Sequence, residues 1–181
     1  MEQWKKRKTP RMQEADYNRE GTYFITICTQ NRRCILSRIV GNGDFDRPKI
    51  ELTKYGEIAE KYIQQLDSFY SNISIEDYVI MPNHIHILIF LKETEDLNVP
   101  LEGQSGTPIP TNLLRANSTF SQFISTFKRF CNKEYGENIW QGRSYDHIIR
   151  SQEDYDQHLR YIYENPTYWH FDKLYNSANQ D

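Results

Sequence analysis

Residues 84–91 read HIHILIFL, and this run restricts the fold more than any other part of the chain. Successive side chains of a β-strand point to opposite faces. Read as a strand, the run places Ile85, Ile87, Ile89 and Leu91 on one face. His84, His86, Leu88 and Phe90 then share the other. The isoleucine face is a core face. Its opposite starts polar and ends apolar, which sets two imidazoles side by side near one end of the strand. Isoleucine would pack as well at either position, so the histidines need a reason of their own. Two neutral imidazoles so placed form a natural pair of metal ligands, or a pair held by hydrogen bonds. Spacing alone leaves both open.

The same periodicities lay out the rest of the chain. Residues 22–29, TYFITICT, are β-branched and aromatic and read as a strand buried on both faces. Short strand-like runs at 34–40 and 48–52 flank a turn at Gly41-Asn42-Gly43. Ala59, Tyr62, Ile63 and Leu66 recur at helical spacing and predict a helix over 54–68. Residues 73–80, ISIEDYVI, form the next strand. The stretch 92–112 is rich in Pro and Gly, lacks periodicity and reads as a disordered insertion. Beyond it, Phe120, Phe123, Ile124, Phe127, Phe130 and Cys131 make a helical stripe that reads as core. Thr119 with Gln122 is read as its capping box and Gly136 as its stop. Residues 144–149 read as a strand, and Ser151 with Asp154 opens a last helix. Pro166 ends that helix near Asn165, because proline disfavours helical geometry at the residue before it.

Composition narrows the class. The 181 residues are expected to form one domain over 16–175, with a basic arm at 1–15 and a short tail at 176–181. A net charge of −3 does not advertise a nucleic-acid partner. The basic residues nonetheless cluster: Lys5, Lys6, Arg7, Lys8 and Arg11 crowd the start, and Arg32-Arg33 and Lys128-Arg129 are doublets. The arm is either a solvated tail or a grip on phosphate. Thirteen Tyr, nine Phe and three Trp fill a core or supply stacking surfaces for unpaired bases. Three cysteines with no C-x-x-C argue against a disulfide framework. No apolar run reaches membrane-spanning length. The expectation is a cytoplasmic protein without a membrane partner.

The last helix carries a second set of polar residues. Tyr155, Leu159 and Ile162 form its apolar stripe, and His158, Tyr161 and Asn165 a neighbouring polar one. Tyr161 and Asn165 stack one turn apart. A phenol with pKa about 10 is a poor nucleophile at neutral pH unless something helps it. A divalent cation on His84 and His86 would polarise a phosphodiester. The Tyr161 phenol could then attack phosphorus and hold one end covalently. Asn165 would add an oxygen ligand once this helix docks.

Four segments in order extend this reading: YFITICTQNR at 23–32, MPNHIH at 81–86, WQGRSYDHIIR at 140–150 and YIYENPTYW at 161–169. With them the chain resembles the single-tyrosine HUH (His, hydrophobe, His) transposases, in the branch of REP-associated tyrosine transposases. The resemblance implies an α+β fold, an antiparallel sheet flanked by helices, ferredoxin-like or RRM-like. It implies that His84 and His86 bind the metal, usually Mg²⁺ or Mn²⁺, with Asn165 as a further ligand. Tyr161 corresponds to the nucleophile that forms a 5′-phosphotyrosine and leaves a 3′-hydroxyl. Single-stranded DNA with hairpins is the implied partner, bound by a monomer or a homodimer. Paired imidazoles suit Mn²⁺ or Zn²⁺ better than Mg²⁺, so oxygen ligands must make up the difference. Arg32, Lys128, Arg129, Arg143 and Arg150 are candidate DNA contacts. Trp140 reads as core, His147 as a hydrogen-bonding histidine and His158 as an alternative ligand. Two other readings stand beside this one. A hairpin-binding module could keep the fold without turnover, and a metal-dependent phosphoesterase using water would not need Tyr161.

Overall fold

A computed structural model of the chain describes residues 19–41, 48–92 and 118–175. The basic arm, Asn42 and Gly43 of the first turn, nearly all of the 92–112 insertion and the tail lie outside the described residues.

Strand β1 (Gly21–Cys28) is followed by a small hairpin of β2 (Ser37–Val40) and β3 (Lys49–Leu52). Helix α1 (Lys54–Phe69), β4 (Ile73–Met81), β5 (His84–Leu91), α2 (Thr119–Tyr135), β6 (Tyr145–Ile148) and α3 (Gln152–Glu164) complete the order. The main sheet runs β4-β5-β1-β6, and every neighbouring pair is antiparallel. With the hairpin set aside, β1-α1-β4-β5-α2-β6 is a βαββαβ chain whose first strand lies between its third and fourth. That is the ferredoxin-like arrangement. The fold is α+β, as expected.

Both faces of the sheet are covered, which explains the unbroken apolar character of β1. Tyr23, Ile25 and Ile27 join Ile85, Ile87 and Ile89 in a cluster with Ala59 and Ile63 of α1 and Phe120, Phe123 and Phe127 of α2. On the opposite face Phe24, Val79, Met81 and Leu88 pack with Ile162 of α3 and with Trp169. The phenylalanine stripe is therefore core, and so is Trp140, 1% exposed.

A register shift between Ile75 and Asp77 lets β4 serve both layers. Before it Ile73 and Ile75 oppose Leu91 and Ile89; after it Val79 and Met81 oppose His86 and His84. The extra residue flips the alternation, as a β-bulge does. One expectation needs correction at α2. Ser118, not Thr119, caps this helix, its hydroxyl accepting from Ser121 N–H. The hydroxyl one residue earlier has the extended backbone that a cap needs. Gly136 ends α2 at φ 76°, a left-handed conformation that glycine adopts at low cost. Ser151 caps α3 by accepting from Asp154 N–H, and the helix stops at Glu164 with Asn165 as its C-cap.

Candidate functional site

Strand register assembles the site. Across β5 and β1, His84 pairs with Cys28 and His86 with Thr26, while β4 brings Met81 and Val79 against the same two histidines. The imidazoles lie side by side, ring centroids 4.4 Å apart, and are 0% and 3% exposed.

Their neighbours decide which nitrogen faces the site. Asn83 donates through Nδ2 to the Leu174 carbonyl at 2.8 Å and to the Arg32 carbonyl at 3.4 Å, so its Oδ1 must be the atom facing His84. An amide oxygen only accepts. His84 therefore donates its Nδ1–H to Asn83 Oδ1 at 2.8 Å, which leaves a lone pair on Nε2. On His86, Nδ1 lies 2.9 Å from the Thr26 hydroxyl, and donation to it leaves Nε2 in the same state. Burial, reinforced by the Arg32 charge, pushes the His84 imidazole down to about 3. Burial and then the neighbouring His84 hold His86 well below its ordinary value, against the opposing pull of Asp172. Both rings are neutral.

Helix α3 crosses this face. The Tyr161 ring sits 5.1 Å from His86 and 6.1 Å from Phe24, centroid to centroid. Its hydroxyl donates to Asp172 Oδ2 at 2.9 Å. One turn on, Asn165 donates through Nδ2 to the same oxygen at 3.0 Å. Burial and then the Asp172 carboxylate raise the Tyr161 phenol well above its usual range, so as it stands the group is a phenol and not a phenolate.

Three acceptors are left over. His84 Nε2, His86 Nε2 and Asn165 Oδ1 are buried with no hydrogen-bond partner. Buried polar atoms nearly always have one, and leaving each of them bare is costly. Two imidazole nitrogens and an amide oxygen, all offering lone pairs, fit a divalent cation. Asp172 adds a carboxylate: one ligand atom from each of His84, His86 and Asp172 lies within 4.8 Å of the others. Cys28 is adjacent, and burial raises its thiol to about 11.

Other histidines sit apart, beyond Phe24. Its ring lies 5.0 Å from His86 on one side and 4.7 Å from His158 on the other. His147 Nε2 is 2.9 Å from Asp154 Oδ2, the hydrogen-bonding role expected of it. His158 donates through Nδ1 to the Asp154 carbonyl at 2.8 Å and stacks on His147. Burial opposes ionisation of Asp154, but the hydrogen bonds from His147 and Arg150 N–H outweigh it and hold the carboxyl low.

The basic candidates divide. Arg32 and Lys128 border the histidine end of β1, where the charges of both act on Cys28. Lys128 also donates to the Gln141 carbonyl at 2.8 Å. Arg129 lies 5.1 Å from the Phe130 ring on α2. Arg143 and Arg150 are exposed.

Sequence reasoning missed Asn83, Thr26 and Asp172. Asn83 stands next to His84, and an amide beside a buried histidine was a usable signal. Thr26 became meaningful only with strand register. Asp172 follows Pro166 and a 3-10 turn at Trp169–Phe171, where no periodicity points anywhere.

Known proteins bear on this arrangement. No protein-family model matches the chain. An uncharacterised protein of Haemophilus influenzae is 30% identical over 176 residues, covering 93% of each chain. The REP-associated tyrosine transposase of Escherichia coli K12 is 25% identical over 150 residues, 83% of this chain and 68% of that one. A solved REP-associated tyrosine transposase bound to a REP hairpin superposes with a TM-score of 0.57 at 25% identity, over 84% of this chain and 70% of that one. Among the described residues no helix is long and apolar enough to cross a membrane.

Proposed function

The chain belongs to the REP-associated tyrosine transposase family, and from that premise we propose that it breaks and rejoins single-stranded hairpin DNA through Tyr161. The observation that carries the reading is the set of three bare acceptors, His84 Nε2, His86 Nε2 and Asn165 Oδ1, with the Tyr161 ring 5.1 Å from His86. A divalent ion held there, Mg²⁺ or Mn²⁺, supplies Lewis-acid polarisation of the scissile phosphodiester and offsets charge on its oxygens.

The chain's own residues do the rest. Asn83 fixes the His84 tautomer and Thr26 orients His86. Asp172 holds the Tyr161 hydroxyl beside the histidine pair. In the step itself the phenol oxygen bonds to phosphorus and the bond from phosphorus to the 3′ oxygen breaks. The proton lost by the phenol balances the one gained by the departing 3′-hydroxyl. One phosphate ester replaces another, so the 5′-phosphotyrosine stores the bond and rejoining needs no ATP. Tyr145 pairs with Thr26 across β1 and β6, so it shares the histidine face, and it is 46% exposed. An aromatic surface there offers a stacking place for an unpaired base.

A fluorescent hairpin oligonucleotide incubated with the protein and Mn²⁺ tests the reading. A covalent adduct should survive denaturing electrophoresis in the wild type and vanish in Tyr161→Phe, while hairpin binding is retained. Binding without any adduct in the wild type would leave a hairpin-binding module. Adduct persisting in Tyr161→Phe would move the nucleophile, with Tyr145 on the histidine face the next candidate.

A further inference from the structure

Asp172 has more to offer than a hydrogen bond to tyrosine. Its carboxylate accepts from Tyr161 O–H and Asn165 Nδ2–H at Oδ2 and from Leu174 N–H at Oδ1. A carboxylate has about four lone-pair directions, and these three bonds leave one. The histidine pair lies close by, with all three ligand atoms within 4.8 Å of one another. Ligand bonds of about 2.0–2.2 Å around one ion place neighbouring donor atoms roughly 3–4 Å apart, so small side-chain adjustments bring the set to a common centre. We propose, on the basis of the metal-assisted reading above, that Asp172 is a direct and charged ligand of the ion held by His84 and His86.

Charge and hardness favour this ligand. Two neutral imidazoles and an amide bring no negative charge to a dication in a buried pocket, and burying an uncompensated charge is costly. A carboxylate cancels half of it. Imidazole alone leans towards softer ions, whereas carboxylate oxygen suits Mg²⁺ and Mn²⁺. Two histidines, one carboxylate and one amide oxygen then account for the hard-metal preference that a bare histidine pair does not. The same carboxylate holds the Tyr161 hydroxyl, so the ligand set and the nucleophile share one anchor. Asn165 has a double part: its Nδ2 positions Asp172, while its Oδ1 has no hydrogen-bond partner and would be free to join the ion.

Metal binding by the full chain without DNA tests this apart from activity. Mn²⁺ is titrated into chelator-stripped protein and read by the electron paramagnetic resonance signal of unbound Mn²⁺. Binding should be lost in His84→Ala, fall a few-fold in Asn165→Ala and fall tenfold or more in Asp172→Asn. If Asp172 only positioned Asn165, its replacement would cost no more than Asn165→Ala, and that result overturns the proposal while leaving the histidine site standing. Wild-type protein that binds no Mn²⁺, or His84→Ala that binds normally, sinks the metal reading itself. The ratio of Mg²⁺ to Zn²⁺ affinity gives a second readout, because losing the carboxylate should shift preference towards Zn²⁺. The rise in melting temperature on adding Mn²⁺, taken within each variant, keeps the comparison valid where a substitution lowers overall stability.

Discussion

Asn83 shows how one side chain can set the chemistry of another. Three of its contacts, to the Leu174 and Arg32 carbonyls and to His84 Nδ1, hold the C-terminal segment, the turn after β1 and the histidine in one arrangement. Removing the partner of a ligating histidine typically costs 10–100-fold in metal affinity. Asn83→Ala should therefore weaken Mn²⁺ binding about 10–100-fold with His84 itself untouched, measured by the same titration. Wild-type affinity in that variant would show that strand packing alone orients the ring. Asn83→Asp is the instructive companion, since a carboxylate still accepts from Nδ1 but loses both donations to the Leu174 and Arg32 carbonyls, and should recover only part of the loss. At this scale the sequence revealed what periodicity can reveal. His84 and His86 share a face by strand alternation, and Tyr161 and Asn165 by helical spacing. Asp172 stayed hidden because the chain reaches it through a turn, where spacing says nothing about which way a side chain points.

Elements were legible where a repeat governs them and less so where a single backbone contact does. The stripe Phe120, Phe123 and Phe127 marked α2 as a core helix, and all three are fully buried. The cap was misplaced by one residue because Ser118 and Thr119 carry the same chemistry, and backbone conformation chose between them. Gly56 is a contact of the other kind. It lies in the first turn of α1, where the Thr53 cap takes the N–H groups of Tyr55 and Gly56 while Thr53 donates its own N–H to the Leu36 carbonyl. A side chain at Gly56 would run into the Leu36 carbonyl oxygen, so α1 seats against this carbonyl only without one. Backbone cannot move aside as a flexible side chain does. Gly56→Ala should destabilise the protein by about 1–3 kcal/mol, the usual cost of overpacking, although alanine is the better helix former. Urea denaturation checks this, and a stability equal to or above wild type would mean that the helix start can shift freely. Helical spacing predicted α1 but gave no hint of this contact, because Leu36 is distant in sequence.

Across the whole molecule the site and the stability are tied together. The sheet is covered by α1 and α2 on one face and by α3 on the other, so the histidine pair lies in the layer between sheet and α3, beside the part-exposed Tyr161 ring. Strand order could not be read from the chain, because it depends on which distant segments pair. Only the βαββαβ succession was visible. Burying the imidazoles has a consequence for acid sensitivity. His84 is lowered from 6.5 to about 3 in the folded protein, and burial also lowers His86 and His158. Between these limits the unfolded chain takes up a proton at each position that the folded chain refuses. The unfolded state thus binds more protons, and stability falls as the pH drops below about 6.5. Each fully shifted histidine contributes roughly 1.4 kcal/mol per pH unit, continuing for His84 towards about 3. The depressed Asp154 adds stability that is present above the ordinary carboxyl range and is lost only as pH falls through its lowered value. Its effect therefore falls at the acid end of the window. Urea unfolding of metal-free protein at pH 7, 6 and 5 should show a steady loss, and His84→Ala should reduce the slope by about one histidine's share, roughly 1.4 kcal/mol per unit. Because the folded imidazoles stay neutral across this range, Mn²⁺ should raise stability by nearly the same amount at pH 5 as at pH 7. A flat stability profile of the metal-free protein between pH 7 and 5 would mean that the rings protonate inside the fold, and a site that accepts protons so readily would not be the dry pair of lone pairs on which metal binding depends.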